Sequence, residues 1–173
     1  MRRKRFIISS ALILCLTLSV GVSQSVARAR STTISFTAQE RGSYACLGPC
    51  ATATNFTFNE IVHTGSKALG TATLSAVGTV LDFNPATNCL DQSEQWALTT
   101  QSGNAGKDSI FISTNTDTFC FTNDPNVSIE TATFAITGGT GRFADATGSG
   151  SSTETVLTHP QTASGTITAT ITY

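Results

Sequence analysis

Apolar and polar residues alternate with period two along most of this chain. Ile34, Phe36 and Ala38 share one phase between Thr33 and Gln39, and Phe56 and Phe58 share one between Asn55 and His63. Successive strand side chains point to opposite faces, so this alternation marks sheet with one face buried. A long strand is predicted from Ala68 to Phe83, followed by Glu94 to Gln101 with Trp96 and Leu98 in phase. Lys107 to Thr114 carries Ile110 and Ile112, and Phe119 and Phe121 continue that strand beyond a small irregularity. From Val127 to Thr137 the apolar phase passes from Val127 and Ile129 to Ala132, Phe134 and Ile136, which predicts a bulge near Thr131. Segments 148–158 and 164–173 complete eight strands. Turn-forming clusters separate them: Gly48-Pro49, Thr64-Gly65-Ser66, Asn84-Pro85, Ser102 to Gly106, and Asn123 to Asn126. No window of ten or more residues has a helical period. The fold class is all-β, as a closed barrel or a two-sheet sandwich.

The first residues break this pattern. Arg2-Arg3-Lys4-Arg5 precedes an apolar run from Phe6 to Val22, and a more polar stretch ends in Ala27-Arg28-Ala29. This is the layout of a secretory signal with cleavage after Ala29, and the apolar run is short of the roughly 20 residues a membrane span needs. Residues 1–29 are therefore read as a signal peptide and 30–173 as one domain, secreted or periplasmic, with no membrane span in the mature chain. Five of the ten Lys and Arg leave with the signal, while all eleven acids remain, for a mature net charge of −6. Five scattered cations cannot build a phosphate-binding surface, so nucleic acid is excluded as a partner.

Export also changes the meaning of the cysteines. Cys46, Cys50, Cys89 and Cys120 form an even set in an oxidising compartment, with three possible connectivities. The turn in Cys46-Leu-Gly-Pro-Cys50 favours a local Cys46–Cys50 bridge, leaving Cys89–Cys120. Their spacing, without a neighbouring histidine, disfavours zinc.

The segment Phe134-Ala-Ile-Thr-Gly-Gly-Thr-Gly-Arg-Phe-Ala-Asp-Ala-Thr-Gly-Ser-Gly150 reads as a strand, a glycine-dense reversal, an Arg-Phe anchor and the start of another strand. It resembles the Gly-Gly-Thr-Gly-x-Phe…Ala-x-Gly signature of dirigent proteins and allene oxide cyclase-like barrels. Weaker resemblance extends to Val62–Gly70 and Gly165–Tyr173. The resemblance implies a single eight-stranded antiparallel β-barrel and assembly as dimers or trimers. In a common plant form the motif ends Ala-Arg-Gly, whereas here Ala146 is followed by Thr147 and Gly148. The family's acidic residues for coupling or cyclisation find no match, so no catalytic role is carried over.

Candidate chemistry is sparse. Arg142 and Phe143 are candidate ligand-binding residues, since a guanidinium at a barrel mouth can hold a carboxylate bidentately; the structural alternative has Phe143 plugging a barrel end and Arg142 pairing with an acid such as Asp145. Glu60 and His63, on one strand, are with Arg142 the candidate acid–base groups. Glu60, Asp82, Glu94, Glu130 and Glu154 lie in or beside strands, where one register step separates lumen from water; each is read as facing out. Asp117, Asn123, Asp124 and Asn126 suggest a calcium loop, but their spacing matches no EF-hand and they are read as turn residues. Thr166, Thr168, Thr170 and Thr172 are read as the wet face of the last strand. No metal site and no cofactor are assigned. The function expected is the binding of a small, mostly apolar molecule in the barrel. The alternatives are steering the coupling or cyclisation of a reactive intermediate, which leaves enzymatic status open, and a ligand-free structural role.

Overall fold

A computed structural model describes residues 31–48, 54–100 and 108–173. Eight strands follow one another in chain order: β1 (Thr33–Cys46), β2 (Asn55–His63), β3 (Thr71–Asn84), β4 (Cys89–Thr100), β5 (Ser109–Phe121), β6 (Val127–Gly139), β7 (Thr147–Leu157) and β8 (Thr162–Thr172). Each pairs antiparallel with the next, and β8 returns to β1 through eleven residue pairs from Thr33↔Thr172 to Ser43↔Thr162. The sheet is a closed barrel, not a sandwich. Closure leaves no strand edge unpaired, which removes the edge as a template for aggregation. No helix among the described residues is long and apolar enough to cross a membrane. The predicted signal peptide lies outside the described residues, as do Cys50 and with it the Cys46–Cys50 pairing.

The strands run longer than their apolar stretches suggest. β1 continues from Gln39 to Cys46, β4 begins at Cys89 rather than Glu94, and β3 begins at Thr71 because Thr64 to Gly70 form a turn closed by the Gly70 N–H on the Ser66 carbonyl (2.7 Å). The irregularity within β5 is present: its register with β6 slips between Thr114 and Thr116. The bulge predicted near Thr131 is absent. β6 pairs with β7 without interruption from Val127 to Ile136, and its inward residues are Ser128, Glu130, Ala132, Phe134 and Ile136. Val127 and Ile129 lie in the opposite phase, so the apparent phase change is a change in lumen chemistry. Cys89 and Cys120 face each other across β4 and β5 and form a disulfide.

One half of the barrel is filled. Phe36, Leu74, Leu98, Ile112, Phe134, Ile136, Ile167 and Ile171 are buried inside it, and Trp96 packs on Phe134 with ring centroids 5.1 Å apart. A single 3-10 turn, Gly141–Phe143, closes that end by inserting Phe143, which is fully buried and stacks edge-on against Tyr173 at 4.7 Å. Outside, Thr33, Ser35, Thr37 and Gln39 of β1 form hydrogen bonds of 2.9–3.3 Å with Thr172, Thr170, Thr168 and Thr166 of β8, a polar ladder.

Candidate functional site

The other half of the barrel changes character. Inward positions one step beyond the apolar plug are occupied by Glu40 (β1), Glu60 (β2), Glu94 (β4), Asp117 (β5), Glu130 (β6) and Glu154 (β7), each only 2–6% exposed. Strict alternation puts most of them there: Phe36, Ala38 and Glu40 share a face, as do Phe58, Glu60 and Val62. The two strands that contribute no acid supply glycine at this level. Gly78 of β3 lies opposite Glu94, and Gly165 of β8 lies between Glu40 and Glu154. A Cβ on Gly165 would stand 2.6 Å from Glu154 Cγ and 2.3 Å from the Thr153 carbonyl oxygen. The glycine is there because the carboxylate side chain takes the room.

Two groups form within this layer. The carboxylate oxygens of Glu40, Glu60 and Glu154 come within 4.8 Å of one another, and so do those of Glu94, Asp117 and Glu130. Glu130 and Glu154 are direct cross-strand neighbours, a like-charge pairing that ordinarily destabilises a sheet. The partners are few. Trp96 Nε1 donates to Glu94 Oε2, and Gln92 Nε2 donates to Asp117 Oδ1 at 3.3 Å. As carboxylates, Glu40 Oε1 and Oε2, Glu60 Oε1, Glu94 Oε1, Asp117 Oδ2, Glu130 Oε2 and Glu154 Oε2 are buried without a hydrogen-bond partner among the described residues. No Lys, Arg or His among the described residues is buried.

Burial without compensation drives these groups toward the neutral acid. Glu40 is pushed up to about 10 by burial and by the charges of Glu154 and Glu60, and the proton it holds faces Glu154. Burial and Glu154 push Glu60 to about 8. Glu94 rises to about 9 through burial and Asp117, against the opposing Trp96 bond. Burial raises Asp117 to about 6, against the Gln92 amide, and raises Glu154 to about 7, against the proton offered by Glu40. Glu130 is raised well above the carboxylate range by burial and by Glu94 and Glu154.

Beyond the acids the barrel opens. A cavity of about 320 Å³ is lined by Tyr44, Phe56, Phe58, Phe119 and Phe121 together with Val80, Leu90 and Pro125. Gln92 and Ser128 complete its wall next to the carboxylates: the first holds Asp117, and the second lies two residues from Glu130 along β6. The mouth is thus an aromatic cup over an acidic layer.

The candidate residues read from the sequence are scattered by this layout, not gathered. Arg142 and Phe143 sit at the opposite, plugged end. Arg142 Nε pairs with Asp108 at 3.1 Å, not with Asp145, its Nη2 donates to the Ala68 carbonyl at 2.6 Å, and its guanidinium lies over the Phe143 ring. His63 is exposed, with Nδ1 3.3 Å from Thr71 Oγ1, and faces away from Glu60 in the strand alternation. Asp82 is exposed as expected. Glu60, Glu94, Glu130 and Glu154 are turned inward, contrary to the outward reading, because each shares the phase of its strand's buried apolar residues. Asp117 belongs to β5 rather than to a turn. Glu40 completes the layer without any motif to mark it; its one signal is the shared phase with Phe36 and Ala38. No protein-family model matches the chain, and no curated protein matches its sequence.

Proposed function

We propose that the protein is an exported β-barrel of the dirigent and allene oxide cyclase-like type that binds a small, mostly apolar molecule in its aromatic mouth. The observation that carries this reading is the cavity of about 320 Å³ walled by five aromatic rings at one end of a barrel whose other end is plugged. That volume falls in the range of small-molecule sites, roughly 300–1,000 Å³, and such sites favour apolar walls with a few polar groups. Gln92 and Ser128 provide the polar contacts. The family assignment is supported by the closed eight-stranded barrel and by the position of the glycine motif, where Gly138 and Gly141 take positive φ as the chain turns from β6 into β7. Export is supported by the Cys89–Cys120 disulfide and the basic-then-apolar N-terminus.

Native mass spectrometry of the protein purified from a secreting host, with and without organic denaturant, tests the reading. A reproducible extra mass that is lost on denaturation is expected, and its loss of affinity in Phe58→Ala or Phe119→Ala would place it in the mouth. A ligand-free mass in every preparation would overturn the carrier reading and leave a transient substrate or a structural role.

A further inference from the structure

Six buried carboxyl groups in one layer, without a buried cation among the described residues, need a counter-charge or must stay protonated. An unpaired buried carboxylate is among the most unfavourable groups a fold can carry. Packing does not demand acids at this level, since apolar residues fill the neighbouring layer of the same lumen.

We propose that this layer is a calcium site, with Glu40, Glu60 and Glu154 holding one ion and Glu94, Asp117 and Glu130 a second. Three features converge. The donors are all carboxylate oxygens, the ligand class that hard cations take, with none of the nitrogen or sulfur that zinc or copper select. Their spacing admits the ion: calcium–oxygen distances of about 2.3–2.6 Å put opposite ligands roughly 5 Å apart, and one oxygen from each member of a triad lies within 4.8 Å of the other two. Finally, in each triad every member has, when ionised as a ligand would be, at least one buried oxygen that no donor among the described residues satisfies. Three carboxylates can offer six oxygens, the lower end of calcium's coordination number, without retained water. Magnesium fits less well, because it holds several waters in a strict octahedron at about 2.0–2.1 Å. The mouth is the side of the layer nearest solvent-filled space, where Gln92 joins the cavity wall to Asp117. This inference is independent of the apolar ligand proposed above, which touches the aromatic cup and not the acids.

The only tryptophan in the chain gives a direct probe. Trp96 donates to Glu94 and so lies against the second triad. Terbium, a hard trivalent stand-in for calcium, is titrated into the purified protein while tryptophan is excited. Sensitised terbium emission that saturates and is displaced by calcium is expected. Glu94→Gln and Glu130→Gln, which preserve shape, should weaken terbium binding at least tenfold, whereas Asp82→Asn on the exterior should not. Absence of calcium-displaceable emission would overturn the proposal, as would emission undiminished in both Gln variants. Should those variants fail to fold, native mass spectra of the wild-type protein decide. A mass increment of one or two calcium ions, removed by chelator, supports the site, and identical masses with and without calcium refute it.

Discussion

In chelator, the stability of the barrel should fall as pH rises through the range where most proteins are at their most stable. Folding raises the carboxyl groups of Glu40, Glu60, Glu94, Asp117, Glu130 and Glu154 above their ordinary values. β3 and β8 set Leu74, Gly78 and Gly165 opposite these acids, so no titratable group from those strands offsets the effect. For a group raised in the folded state, its contribution to stability is complete below the unfolded value, about 4 to 4.5 for a carboxyl, and is lost as pH climbs to the folded value. The loss thus begins at about pH 4 to 4.5, where the unfolded chain ionises, and extends through Asp117 at about 6, Glu154 at about 7 and Glu60 at about 8 to Glu94 at about 9 and Glu40 at about 10. Each proton kept by the barrel but released by the unfolded chain removes ~1.4 kcal/mol per pH unit. If only two of the six behave this way, the change from pH 5 to pH 7 is ~5 kcal/mol, comparable with the whole stability of a modest domain. Urea unfolding followed by Trp96 fluorescence at pH 5, 6, 7 and 8 reads this as a midpoint falling by about 2–3 M between pH 5 and 7, for a urea slope near 2 kcal/mol/M. A midpoint that is flat or rises over that interval would refute the argument that these acids are buried and uncompensated.

Other consequences are simpler to state. Gly165→Ala should lower stability by about 2 kcal/mol or more, because the new methyl meets the Thr153 carbonyl and Glu154 Cγ inside contact distance; chemical denaturation checks this. Replacing Cys89 and Cys120 by Ala opens a covalent loop spanning 31 residues and should cost about 4 kcal/mol in denaturation. Arg142→Ala should cost no more than ~1 kcal/mol, since its pair with Asp108 is partly exposed, and should leave ligand and terbium binding unchanged because it acts at the plugged end.

Most of the architecture is legible in the chain because alternation survives in single strands. The eight segments, the irregularity in β5 and the Cys89–Cys120 pair all follow from local pattern and turn chemistry. The acidic layer is harder to see for a physical reason. A glutamate is expected in water, so the apolar phase of β6 is naturally traced through Val127 and Ile129, and a bulge is then needed to reconcile it with Phe134. Continuing the phase of Phe134 and Ala132 backwards reaches Glu130 directly. The same continuation reaches Glu40 from Ala38 and Glu94 from Trp96. Asp117 is different: it turns inward only because β5 slips its register beside Thr114, and no period marks where a bulge falls. What brings Glu154 to Glu40 and Glu60 is closure through β8, which no single strand encodes.

The pairing of the first strand with the last has a further meaning for how the barrel stays closed. Glu40 and Glu154 are joined across the barrel by β8, through Gly165. Without β8 the sheet would be an open ribbon with Glu40 and Glu154 at separate edges facing solvent, while Glu130 and Glu154 would still be cross-strand neighbours. Burial of the complete layer therefore depends on the β1–β8 pairing that seals the cylinder. A cation held by this layer would bind the closed cylinder and not the open ribbon, so the ionic content of the medium would weigh on how firmly that seal holds.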